Sequence, residues 1–236
     1  MIKSFTEYNL PKEYEAQLHA YYDDVREILG PKLKMFMLFG SCSLGGCIPG
    51  WSDLDILIVV DRIDFMLARR LQCAQQKYNI KIALSVITLY ELDNRRVDGK
   101  IKVALYLLGE GLLAPNYVNV SAGIFMVPSL SLGEVQADDV YMLPEYLHKL
   151  KRALCVPEEN KRTIIKLLYL VMKIKLRSPD HEIVATSYCA ACEHFANEFD
   201  APEVCFEAEI KNAGALSDKF LDYAKEIVSK ICNGEI

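Results

Sequence analysis

The stretch GSCSLGGCIPGWSDLDILIVV, residues 40–60, carries the reading of this chain. A Gly-Ser turn leads through a loop with glycines at 45, 46 and 50 to two aspartates, Asp53 and Asp55, which open an apolar run. In a strand, residues i and i+2 project from the same face, so both carboxylates point one way. Two like charges held together are costly unless something positive sits between them. A divalent cation is the simplest candidate. An ordinary turn explains Gly40-Ser41, and a loop cap explains Asp53. Neither explains Asp55 inside an apolar strand, where an unpaired carboxylate is expensive.

Upstream, residues 12–29 have the apolar spacing of an amphipathic helix that Gly30-Pro31 ends, and KLKMFMLFG then reads as a strand. DLDILIVVD is a second strand, and its near-continuous apolar character implies burial on both faces. Residues 64–78 return to helical spacing, and IKIALSVITL is a third strand. VALYLLGEGLLAP reads as a helix end or a strand, with a turn at Gly109-Glu110-Gly111. Around 115–140, Pro115, Gly123, Pro128 and Gly133 argue for an irregular connection. Beyond it the spacing predicts helices over 143–154, 158–177, 180–199, 203–212 and 216–232. The expected domains are an α/β unit over 1–120, a linker over 121–140 and a helical domain over 141–236.

With 236 residues, 52% of them hydrophobic, the chain can bury a substantial core. A net charge of −5 gives no global pull toward nucleic acid or an anionic membrane. Charges and a proline in MIKSFTEYNLPKEYE argue against a signal peptide, and no apolar run approaches a bilayer span. The expectation is a soluble, cytoplasmic protein. Eight cysteines are irregularly spaced, and only Cys189 and Cys192 form a C-x-x-C. That is weak support for zinc, so buried reduced thiols are expected. His19, His148, His181 and His194 are scattered, and none is assigned to metal.

The order helix, strand, Gly-Ser loop, Asp-x-Asp strand, helix, strand resembles the nucleotidyltransferase superfamily, which includes DNA polymerase beta. The match is Gly40-Ser41, eleven intervening residues, then Asp53-Leu54-Asp55 followed by Ile-Leu-Ile-Val-Val, with Ser52 before the pair. The likeness covers residues 33–60 closely and 12–115 in element order. It implies an α/β (α+β) nucleotidyltransferase-fold domain with a small mixed sheet, followed by an all-α helical bundle. It also implies that Asp53 and Asp55 bind Mg²⁺ and that Gly40, Ser41 and Ser52 bind a nucleoside triphosphate, ATP being the expected one. The residue types suit that chemistry. Mg²⁺ binds hard oxygens through one or two carboxylates plus substrate phosphates, and turns of backbone amides form anion-binding concavities.

Transferring members of the superfamily carry a third Asp or Glu on the next strand. Here the equivalent position in KIALSVITL is Ala83, or Ser85 with the register slipped by two, and Glu91 and Asp93 lie past the strand's end. Three accounts follow. The helical domain supplies the base, with Glu145 or Glu182 as candidates. Alternatively, transfer proceeds without a positioned base, whose help is worth roughly 10²–10⁴-fold. Otherwise the chain is a nucleotide-binding relative without turnover.

Residues 161–199 are loosely similar to the C-terminal helices of aminoglycoside adenylyltransferases. The resemblance implies a small-molecule acceptor, with protein or tRNA as the alternative, as in toxin–antitoxin members. Lys161, Arg162, Lys166, Lys173, Lys175 and Arg177 crowd one helix and read chiefly as a solvated face. Arg95 and Arg96 read chiefly as surface charges. Trp51, the single tryptophan, is equally suited to packing and to stacking on a base.

Overall fold

The computed structural model describes residues 10–113, 117–119, 127–202 and 204–236. The chain divides into two compact units, residues 1–131 and 132–236. Pro115 and Gly123 of the expected connection lie outside the described residues.

The first unit opens with α1 (Lys12–Leu29), whose buried face is Tyr14, Leu18, Tyr21, Tyr22, Val25 and Leu29. Gly30 ends it at φ +52, and Pro31 follows in a short 3-10 turn. Strand β1 (Leu33–Phe39) lies antiparallel to β2 (Leu54–Val60), with Phe39 opposite Asp55. Helix α2 (Phe65–Gln75), capped by the Asp64 carboxylate, carries the chain to β3 (Ile82–Thr88), which runs parallel to β2. A short β4 (Tyr117–Asn119) pairs antiparallel with β1, giving the order β3-β2-β1-β4. The sheet is small and mixed, as expected. On one face Phe36, Leu38, Ile56 and Ile58 join the α1 residues in a single core, with Phe36 and Tyr22 in an edge-on contact at 5.1 Å. Met35, Met37, Leu57 and Val59 on the opposite face are buried too, as the continuous apolar run of β2 required.

One short element here went unread. Thr88 and Glu91 form a capping box that opens α3 (Leu89–Asp93). The polar ELDNRRVDGK also contains Asp98, whose carboxylate caps α4 (Gly99–Gly109). The segment read as either helix end or strand is therefore helix.

In the second unit α5 (Leu132–Leu154) starts eleven residues before the expected 143. Pro144 lies inside the helix, whose upstream part carries the buried Asp139. Helix α6 (Pro157–Leu176) follows, with Asn160 as a kink. The expected helix over 180–199 begins only at α7 (Tyr188–Phe199), because Glu182 turns at φ +55 and Ser187 supplies the cap. α8 (Phe206–Lys211) and α9 (Asp218–Cys232) complete the unit around stacked Tyr188 and Phe206, with Phe220 edge-on to Phe206. No helix among the described residues is long and apolar enough to cross a membrane.

The basic residues of α6 are not one solvated face. Arg162 is exposed, but Lys161 donates to the carbonyls of Asn212 and Gly214. Arg177, just past the helix, is 4% exposed and makes a two-pronged bond to Asp139 at 3.0 and 2.7 Å. The cysteines also depart from expectation. Cys42 and Cys192 are buried and Cys47 is half-buried, whereas Cys73, Cys155, Cys189, Cys205 and Cys232 are exposed. Most sit on the outward sides of helices or at their ends.

Candidate functional site

The mixed pairing of the sheet brings three strand ends together. Because β1 runs against β2 and β3 runs with it, the end of β1 lies beside the starts of β2 and β3. Gly40-Ser41 continues from β1, Asp53-Leu54-Asp55 opens β2, and Lys81 immediately precedes β3. The two aspartate side chains are 12% and 14% exposed, alternating with buried Ser52, Leu54 and Ile56.

Each carboxylate has its own ammonium partner. Lys81 Nζ donates to Asp53 Oδ2 at 3.1 Å, and Lys100 Nζ donates to Asp55 Oδ1 at 2.5 Å. These answer the like-charge problem that the sequence posed. Both lysines are mostly exposed, at 71% and 56%, and such pairs contribute about 0–1 kcal/mol each. A stronger cation or a phosphate can therefore draw them away at little cost. Neither lysine was singled out from sequence. Lys81 was accessible in principle, since it precedes Ile82, the β3 partner of Leu54. Lys100 was not, being 45 residues from Asp55. It stands in the first turn of α4, where the helix dipole disfavours a cation, so its placement answers to Asp55 and the Phe39 ring 5.4 Å away.

Gly40 has φ +76 and ψ −159, a backbone region open almost only to glycine. A Cβ there would collide with Asp55 Oδ2 and lie 3.0 Å from its Cγ. The loop thus closes directly over the carboxylate. The Ser43 hydroxyl donates to the Gly40 carbonyl at 2.8 Å, and Gly46 N donates to the Ser41 carbonyl at 2.9 Å. The Ser41 hydroxyl makes no hydrogen bond among the described residues, and its residue is half-buried.

Ser52, expected to bind nucleotide, is 7% exposed, and its hydroxyl accepts from Ile48 N at 2.9 Å. Tyr14 from α1 clamps the same loop. Its hydroxyl donates to the Ser52 carbonyl and accepts from Gly50 N, both at 3.1 Å, and burial raises its pKa. Trp51 is half-buried and its backbone N–H donates to Ile48 O. Within the loop the Cys42 thiol lies 3.0 Å from Cys47 Sγ and 3.4 Å from the Asp53 carbonyl. Donation by Cys42 raises its own pKa and lowers that of Cys47.

The register sets Ala83 beside Asp55 and Ser85 beside Leu57. Glu91 is spent on capping, its carboxylate accepting from both Thr88 N and Thr88 Oγ1 at 2.8 Å. Asp93 is exposed. Glu145 and Glu182 belong to the second unit. The first is paired with Lys149 on α5, and the second lies in the turn after α6. Arg95 reaches the Ser129 carbonyl at 3.4 Å, and the Arg96 guanidinium lies over the Tyr90 ring. Among the described residues no group of three or more His, Cys, Asp or Glu could hold a metal. Two hard carboxylates on one strand face do fit Mg²⁺ that completes its shell with phosphate and water oxygens.

Gly-Ser and Asp-x-Asp thus stand together at the meeting strand ends of the sheet. Among solved structures the chain is similar to spectinomycin adenyltransferase AAD(9) from Enterococcus faecialis, crystallised with ATP and spectinomycin. The TM-score is 0.59 at 13% identity, covering 90% of this chain and 96% of that one. The likeness is one of fold. No family model matches the sequence, and no curated protein matches it.

Proposed function

We propose that this chain is a Mg²⁺-dependent nucleotidyltransferase that moves a nucleoside monophosphate, AMP foremost, from its triphosphate to a hydroxyl of a small molecule or macromolecule. The observation that carries the reading is the closure of Gly40 onto Asp55 beside Asp53. It joins a Gly-Ser backbone turn to two carboxylates with hard oxygen donors. The fold likeness to an adenyltransferase crystallised with ATP and spectinomycin supports a small-molecule acceptor.

Asp53 and Asp55 would hold Mg²⁺, which when bound neutralises the triphosphate and the charge developing on the reacting oxygens. Gly40 and Ser41 would face the triphosphate through backbone N–H and hydroxyl. Ser52 would contribute by holding the loop. Lys81 and Lys100, exchanging their carboxylates for phosphate oxygens, would keep the leaving pyrophosphate in line. The acceptor oxygen forms a bond to the α-phosphorus while the bond to the bridging oxygen of pyrophosphate breaks. The hydroxyl proton passes to solvent, no base being positioned beside Asp55 at Ala83.

A second reading is a nucleotide-binding protein without turnover. Ala83 beside Asp55 favours it, since no carboxylate occupies that register position. Isothermal titration of ATP with and without Mg²⁺ tests the shared part. Wild type should bind only with the metal, and Asp53→Asn/Asp55→Asn should lose at least about tenfold in affinity. Absence of binding by wild type to any triphosphate would sink both readings. Pyrophosphate release with a panel of hydroxyl acceptors then separates enzyme from binding protein.

A further inference from the structure

We propose that Cys42 and Cys47 are a redox modification site, closing to a disulfide that resets the loop between Gly40 and Asp53. As a control on nucleotide binding, the inference rests on the function proposed above.

The two sulfurs are 3.0 Å apart across a turn containing Gly45, at φ +79, and Gly46. They need to approach by only about 1 Å to reach bonding distance. Of the chain's eight cysteines, these two alone lie inside the Gly-Ser to Asp-x-Asp loop. The pair is unlike the exposed cysteines of the helices. Cys42 is 1% exposed and fixed by its neighbours, whereas Cys47 is half-buried and reachable from solvent.

The oxidant required is a low-molecular-weight disulfide. Cys47, as thiolate, attacks one of its sulfurs and releases the first thiol, leaving a mixed disulfide on Cys47. Cys42 then loses its proton and attacks the Cys47 sulfur, expelling the second thiol. Two protein thiols are oxidised to one disulfide, and one small disulfide is reduced to two thiols. The consequence for the site follows from the Cys42 proton. As a thiol, Cys42 has one proton to turn either to Cys47 or to the backbone carbonyl of Asp53 at 3.4 Å, and a disulfide sulfur has none to donate to that carbonyl. The same bond draws Cys47 inward, and with it the start of the segment Ile48–Ser52 that Tyr14 clamps. Oxidation therefore acts on the backbone of a metal-holding aspartate without touching its carboxylate.

Glutathione disulfide is the probe, applied to the full chain over a range of ratios to glutathione. Trypsin releases Met35–Arg62 as one peptide with both cysteines and Trp51, so the bond appears as the loss of two hydrogens from that peptide. Fluorescence of Trp51, the only tryptophan, reads the loop independently of any nucleotide. Expected are the closed peptide, a reversible shift in Trp51 emission, and a roughly tenfold weaker affinity for Mg·ATP. Cys47→Ser should lose all three responses. The inference is overturned if the peptide keeps two free thiols or carries two glutathiones. It is also overturned if the bond forms while Trp51 emission and Mg·ATP affinity stay unchanged. If the bond forms and Trp51 responds but neither form binds Mg·ATP, the redox site stands and the nucleotide function falls.

Discussion

Gly40 holds a backbone conformation that an L side chain rarely adopts, and the space where its Cβ would lie is filled by the Asp55 carboxylate. Gly40→Ala therefore meets two penalties at once, strain at φ +76 and displacement of a carboxylate. The expected cost is about 2 kcal/mol or more, read as a lower denaturation midpoint at unchanged slope. Mg·ATP affinity should fall with it. The sequence pattern pointed to this glycine, and the structure adds a requirement the pattern did not show, the close approach of the Asp55 carboxylate. The aspartate pair was legible because an apolar strand makes a carboxylate conspicuous. Lys81 and Lys100 were not, since exposed lysines carry no local signal and their partners are set by register and tertiary contact.

At the scale of elements, helices and strands in the first unit declared themselves where periodicity and punctuation agreed. α1, β1, β2 and β3 fall within a residue or two of the expected bounds. β4 did not, because three residues leave no period to read. The start of α5 was placed too late, as its upstream turns carry Asp139, whose long-range ion pair with Arg177 no local pattern announces. Breaking that pair should be costly. Asp139→Ala leaves the Arg177 guanidinium buried without its partner, and a loss of about 3–5 kcal/mol is expected. The double change Asp139→Leu/Arg177→Met should recover most of it, as both charges then leave the interior together. Thermal unfolding of the three chains decides the point, and equal losses in single and double variants would refute it.

Across the whole molecule, a net charge of −5 conceals a basic run over residues 161–177, within a second unit that is itself acidic. Lys173, half-buried over the Tyr169 ring, has its pKa lowered from 10.5 to about 7 by burial and by the charge of Arg177. Between those two values the unfolded lysine holds a proton that the folded one has released. Stability from this group therefore rises with pH from about 7 to 10.5 and is level below 7, where both forms are protonated. Lys173→Met should flatten that rise, by on the order of 1 kcal/mol between pH 7 and 9. Parallel pH-dependent slopes for wild type and variant would contradict the assignment. Strands and helices segregate along the chain, and the two compact units meet in sequence where α5 begins.

The in-register pairing of Ala83 with Asp55 bears on the history open to this chain. In a parallel pair, side chains at matched positions stand on the same face of the sheet. Every alanine codon becomes an aspartate or glutamate codon by changing its middle base. A lineage carrying this sequence is therefore a single point mutation from a third acid beside the first two. Whether it has lost that acid or never acquired it, selection can revisit the choice without moving a strand.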